Sequence, residues 1–191
     1  MRKSTVLGLC LTLMALMPVS AATIELNASY ANVKQELFSK AEFNMNTLIV
    51  SGTAWHDSGF GFKVFGGKSS KTENDIATGD DLYTNTIDAI YGAMIVYKYN
   101  FGDLSLNVGV GKTDYKTTWG LNGGSIDYND TGSLSLNENS ADSGWSYSAG
   151  LSYPISSSLL ATVNYTDIYR KNSEYGREKT TSTSVGISYL F

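Results

Sequence analysis

Gly144-Trp145-Ser146-Tyr147-Ser148-Ala149-Gly150-Leu151-Ser152-Tyr153 decides the fold. Trp145, Tyr147, Ala149, Leu151 and Tyr153 share one parity, and Gly144, Ser146, Ser148, Gly150 and Ser152 the other. A period of two belongs to a β-strand with two unlike faces. A strand that turns its polar face to water normally shows Lys and Glu there. This one shows only Gly and Ser. Small polar residues suit the inside of a narrow barrel, and the aromatic and aliphatic face is then left for lipid.

The same alternation recurs along the chain. Ile24, Leu26, Ala28 and Tyr30 oppose Glu25, Asn27 and Ser29. Leu104, Leu106, Val108 and Val110 oppose Ser105, Asn107, Gly109 and Gly111. Leu159, Ala161, Val163 and Tyr165 oppose Leu160, Thr162, Asn164 and Thr166. Thr183, Val185, Ile187, Tyr189 and Phe191 oppose Ser182, Ser184, Gly186, Ser188 and Leu190. Less regular strands fall near 43–55, 60–67 and 86–99, which makes eight. The apolar faces of the five regular strands carry no charge, where one at mid-membrane would cost roughly 2–4 kcal/mol.

Aromatics gather at strand ends, at Tyr30, Phe43, Trp55, Phe60, Tyr97, Tyr99, Tyr153, Tyr189 and Phe191, as two interfacial girdles would require. Short links at 56–59, 100–103 and 154–158 alternate with long ones near 32–42, 68–85, 112–142 and 167–180. Short periplasmic turns and long extracellular loops give that asymmetry. The expected architecture is all-β, an eight-stranded antiparallel up-and-down transmembrane β-barrel.

Composition narrows the rest. The 191 residues include one Cys, one His and two Pro, so disulfide scaffolds, zinc fingers and thiol enzymes are excluded. Arg2 and Lys3, the apolar run Val6 to Val19 and the small residues Ser20, Ala21 and Ala22 form a secretory signal peptide. Residues 1–21 are expected to be removed, with cleavage after Ala21 or Ala22, leaving 22–191 as the barrel domain. Without Arg2 and Lys3, the 14 basic residues fall to 12 against 18 acidic ones, a net charge of −6. An acidic chain of this kind is no nucleic-acid binder. Its expected place is the outer membrane of a Gram-negative bacterium, with outer-membrane lipid and lipopolysaccharide around it.

Eight strands enclose a lumen just wide enough for side chains to fill. Glu25, Lys63, Asp88 and Lys98 fall on inner faces and are expected to pair there, while Ile90, Met94 and Val96 also turn inward. Isolated lumen charges would be expensive. His56, Asp57 and Ser58 form a local base, acid and nucleophile trio, but within a short turn whose composition is ordinary turn chemistry. No catalytic residue and no enzymatic activity are expected. Glu73, Asp75, Asp80 and Asp81 cluster in one loop without a calcium-loop motif, so neither a metal site nor a cofactor is assigned. In the longest loop Ile126 and Tyr128, then Leu134 and Leu136, alternate with polar residues across Asp130-Thr131-Gly132. That pattern predicts a hairpin ribbon. With Trp119 these four residues are the candidate binding surface.

The C-terminus, Ser184-Val185-Gly186-Ile187-Ser188-Tyr189-Leu190-Phe191, matches the spacing of the outer-membrane assembly signal, with Ser184, Gly186, Tyr189 and Phe191 as its marked positions. The assembly machinery of that membrane is therefore an expected partner. GWSYSAGLSYPISSSLLATVNYT at 144–166, LNVGVGKTDYKTT at 106–118, VGISYLF at 185–191 and ASYANVKQE at 28–36 resemble the Ail/OmpX/Lom group of small outer-membrane barrels. The resemblance implies an eight-stranded barrel whose loops mediate surface binding, to host-surface or serum proteins, or support envelope integrity. A narrow small-solute channel and a lipid A-modifying enzyme are the alternatives. The penultimate residue, often basic in that group, is Leu190 here.

Overall fold

The computed structural model describes residues 23–37, 41–69, 73–75, 83–121, 144–172 and 176–191. Its strands are β1 (Thr23–Leu37), β2 (Ala41–Trp55), β3 (Phe60–Ser69), β4 (Glu73–Asp75), β5 (Tyr83–Phe101), β6 (Leu104–Leu121), β7 (Gly144–Pro154), β8 (Leu159–Asn172) and β9 (Gly176–Leu190). All except β4 are barrel staves. Hydrogen bonding runs β3-β2-β1-β9-β8-β7-β6-β5, and β3 pairs with β5 from Phe60↔Tyr97 to Gly67↔Ile90 to close the ring. Every pairing is antiparallel. The three-residue β4 adds only to the far end of β5, opposite Tyr83 to Asn85. The chain is thus a closed eight-stranded antiparallel barrel, as the alternation predicts.

The faces sort inside out relative to a water-soluble protein. Leu48, Ile95 and Val185 are 59%, 60% and 57% exposed on the outside, whereas Ser146, Ser188 and Thr47 are fully buried at 0%. Burying hydroxyls while exposing aliphatics is favourable only where the outer surroundings are apolar. Closure also leaves no unpaired stave within that apolar band, so backbone groups there are satisfied by their neighbours.

Tight turns tie the staves at one end. His56 N–H donates to Phe60 O at 2.7 Å and Gly59 N–H to His56 O at 2.9 Å. Gly59 takes φ +87°, and a Cβ there would stand 2.6 Å from Lys98 O, so only glycine fits without strain. At the other end the strands outrun their expected bounds. Much of the sequence assigned to loops at 32–42, 112–142 and 167–180 is strand, since β1 runs to Leu37, β6 to Leu121 and β8 to Asn172. Above the lipid a stave no longer needs an apolar face, so alternation fades although the ladder continues.

Three two-stranded ribbons therefore rise beyond the barrel. β1 and β2 stay paired up to Leu37↔Ala41, β5 and β6 up to Tyr83↔Leu121, and β8 and β9 up to Asn172↔Gly176. β7 pairs with β6 only as far as Gly144↔Thr113, so β6 continues roughly 26 Å beyond that point.

Candidate functional site

The outer wall ends its apolar band in aromatics. Tyr30, Tyr91, Trp145 and Tyr165 are exposed toward the ribbon end, and Phe60, Tyr99, Phe101, Tyr153, Tyr189 and Phe191 toward the turn end. These two sets are girdles. Beyond the ribbon-side set the outward residues become charged: Lys68, Lys112 and Lys179 are exposed, and the Lys112 ammonium lies 5.8 Å from the Trp145 ring. Trp55, which its place at a strand end assigns to a girdle, is instead buried in the lumen, because it shares the odd parity of Ser51 and Thr53 on β2.

Inside the turn end, Trp55 helps build the main polar network. Glu25 accepts from Trp55 Nε1 at 2.8 Å and from Ser188 Oγ at 2.7 Å, and it pairs with Lys98 Nζ at 3.3 Å. The same ammonium sits 4.2 Å from the Trp55 ring centroid, a cation–π contact. Of the four expected lumen charges, the barrel brings Glu25 and Lys98 into contact and aims Lys63 into the space above them. The β5–β6 register shifts between Ile87 and Ala89, which leaves Asp88 as the extra residue of a bulge, and its side chain lies outside the described residues.

Removing one member of a buried, hydrogen-bonded ion pair usually costs several kcal/mol, because the partner stays desolvated. Glu25→Ala is accordingly expected to destabilise the barrel by about 3 kcal/mol, read as a lower urea midpoint in detergent micelles. The double variant Glu25→Gln/Lys98→Met should lose less than Glu25→Ala. An unchanged midpoint in Glu25→Ala would show that the network contributes nothing to stability.

Two apolar layers fill the rest of the lumen. Ala31, Val33, Met45, Ile90 and Ile168 cluster toward the ribbons, with Ile49 and Phe65 packed against them. Trp55, Met94 and Val96 cluster toward the turns. Between and around these layers lie two cavities of only about 30 Å³ each, room for one or two waters. The described lumen is a packed core.

The candidate surface residues mostly lie elsewhere. Ile126, Tyr128, Leu134 and Leu136 fall outside the described residues. Trp119 stands on the β5/β6 ribbon with its backbone opposite Asn85, its side chain likewise outside the description. Glu73 and Asp75 form the ends of β4, while Asp80 and Asp81 are outside the described residues.

The turn trio holds itself. His56 Nδ1 accepts from Ser58 N–H at 3.1 Å and lies 2.9 Å from Ser58 Oγ, all on an exposed turn. Among the described residues no acid bonds the other ring nitrogen, which a triad would need to orient its base. His56→Ala is expected to leave lipid A mass unchanged and stability within about 0.5 kcal/mol, as surface substitutions do. Loss of a lipid-modifying activity would overturn the non-catalytic reading.

At the C-terminal strand, Tyr189 and Phe191 are exposed on the outer wall, with ring centroids 4.6 Å apart in an edge-to-face arrangement. Ser184 and Gly186 face inward, and a Cβ on Gly186 would approach Ala28 O to 2.5 Å. Phe191 N–H donates to Ile24 O at 2.9 Å, so the last residue is already part of the wall.

An apolar outer band between aromatic girdles, around a closed and packed lumen, defines an integral outer-membrane β-barrel. Residues 6–191 match the outer membrane protein beta-barrel domain, and the chain belongs to that family. Among solved structures, Neisserial surface protein A matches with TM-score 0.64 at 13% identity, over 90% of this chain and all of that one. Ail, the attachment invasion locus protein of Yersinia pestis, solved with the heparin analogue sucrose octasulfate, matches with TM-score 0.59 at 14% identity over 90% and 100%. The N-terminal barrel of Pseudomonas aeruginosa OprF matches with TM-score 0.55 at 12% identity over 88% and 97%. At these identities the likeness is one of fold. No curated protein matches the chain.

Proposed function

We propose that this protein is a surface-binding barrel, exported with removal of residues 1–21, whose ribbons and loops recognise a ligand outside the cell. The observation that carries this reading is the packed lumen: two apolar layers leave cavities of about 30 Å³, so little is left for a solute path. What remains available for function is what projects. Three ribbons extend from the barrel on the side away from the tight turns, the side that faces outward when short turns are periplasmic.

The heparin analogue bound by Ail makes a sulphated glycan the first ligand class to test, and Lys68, Lys112 and Lys179 supply exposed cations near the base of the ribbons. Serum and matrix proteins are the second class. Cells expressing the protein should be retained on heparin-coated or matrix-coated surfaces above cells lacking it, and soluble ligand should compete. Equal retention on every coating would refute a binding role and favour a purely structural envelope role. A narrow channel would instead register as stepwise conductance in planar bilayers.

A further inference from the structure

We propose that the packed lumen binds a small inorganic anion of halide size at Lys63. Three charged side chains line the described lumen. Glu25 and Lys98 neutralise one another, and Glu25 is further occupied by Trp55 and Ser188. Lys63 has no hydrogen bond or ion pair among the described residues; the Glu25 charge reaches it but is already shared with Lys98, which leaves the three with a net charge of +1. The backbone of Asp88 lies far from Lys63. Lys63 pairs in register with Met94, and Asp88 lies six residues further along β5, roughly 20 Å away on the far side of Ile90.

The cavity on the ribbon side of Lys63 has no carboxylate among its described lining residues, whereas Glu25 lines the one toward the turns, so the ribbon-side cavity is the one that suits an anion. Asn27, Ser51, Lys63 and Asn164 line both cavities, so they meet where the two adjoin. Asn27 Nδ2 is committed to Thr162 Oγ1 and Ser188 Oγ, each at 2.9 Å. The Ser51 hydroxyl and the Asn164 amide have no partner among the described residues, and both remain available as donors. Each cavity, at about 30 Å³, takes a monatomic ion or a water and excludes larger organic anions. Apolar layers on both sides shield the charge from bulk solvent, which strengthens an ion–ammonium contact over the same contact in water.

The test uses the full barrel refolded from urea in detergent micelles, so that the lumen fills as it closes. Crystals grown in sodium bromide should give an anomalous peak beside Lys63 Nζ, absent in Lys63→Met. In solution the thermal midpoint in sodium chloride should exceed that in sodium gluconate at equal ionic strength by several degrees. That difference should vanish in Lys63→Met and in Lys63→Gln, the second variant guarding against a folding defect in the first. Ordered water beside Lys63 with no anomalous peak would overturn the proposal, as would equal midpoints of the unaltered protein in the two salts.

Discussion

Deleting Phe191 is expected to cut the folded protein recovered in the outer membrane about tenfold while synthesis and export continue. A tenfold change corresponds to about 1.4 kcal/mol of recognition, which one buried aromatic contact can supply. Tyr189 and Phe191 stand together on the outer wall, stacked edge to face at 4.6 Å, so both rings are presented on one side of the final strand. That presentation suits capture of the last strand by an assembly partner through main-chain pairing and side-chain pockets. Deleting Phe191 also removes its hydrogen bond to Ile24 O, so a loss of wall stability has to be separated from a loss of recognition. Tyr189→Ala makes that separation, because its backbone pairing with Leu26 and Leu159 is retained. The measurement is heat-modifiable protein in membrane fractions, set beside spontaneous refolding of each purified variant in detergent. Refolding should be near normal while insertion in cells falls. Undiminished insertion of both variants would remove Ser184, Gly186, Tyr189 and Phe191 from any assembly signal.

How far the fold could be read from the sequence depended on depth in the membrane. Where lipid surrounds the wall, every second residue must be apolar, and the five regular strands announce themselves with their correct inward faces. Beyond the girdles that demand lapses. Val33 in the lumen and Lys34 on the outer face reverse the contrast seen within lipid, and Thr180 and Thr181 show none, so these residues read as loop although they are strand. Trp55 misleads for a related reason: an aromatic ring at a strand end suggests the interface, yet its parity with Ser51 and Thr53 assigns it inward.

Contacts across the lumen are another matter. Glu25 and Lys98 are on β1 and β5, separated around the wall by β2 and β3, so no pairwise strand rule brings them together. Their meeting depends on the stagger of the closed barrel, which residue parity does not encode. Parity placed Glu25, Lys63 and Lys98 inside. Only the closed ring distinguishes Glu25 and Lys98, which touch, from Lys63, which makes no ion pair among the described residues.

Removing Gly123–Leu136 from the longest loop is expected to leave the barrel folded while abolishing adhesion. The deletion takes out the alternating segments around Ile126, Tyr128, Leu134 and Leu136, the residues proposed to form a binding ribbon. Chain reach decides whether the barrel tolerates it. Gly144 lies opposite Thr113, so Leu121 at the far end of β6 is roughly 26 Å from Gly144. Asn122 and residues 137–143 would remain as the linker, and nine extended steps between the two anchors span about 30 Å. The shortened connection just closes, without drawing on any paired residue of β6 or β7. Heat-modifiability and the urea midpoint should therefore stay close to those of the intact protein. Retention of expressing cells on heparin or matrix surfaces should fall to the level of cells without the protein. If the trimmed barrel folds and the cells still adhere, recognition resides in the β1/β2, β5/β6 or β8/β9 ribbon, and the longest loop serves only as a cover over them.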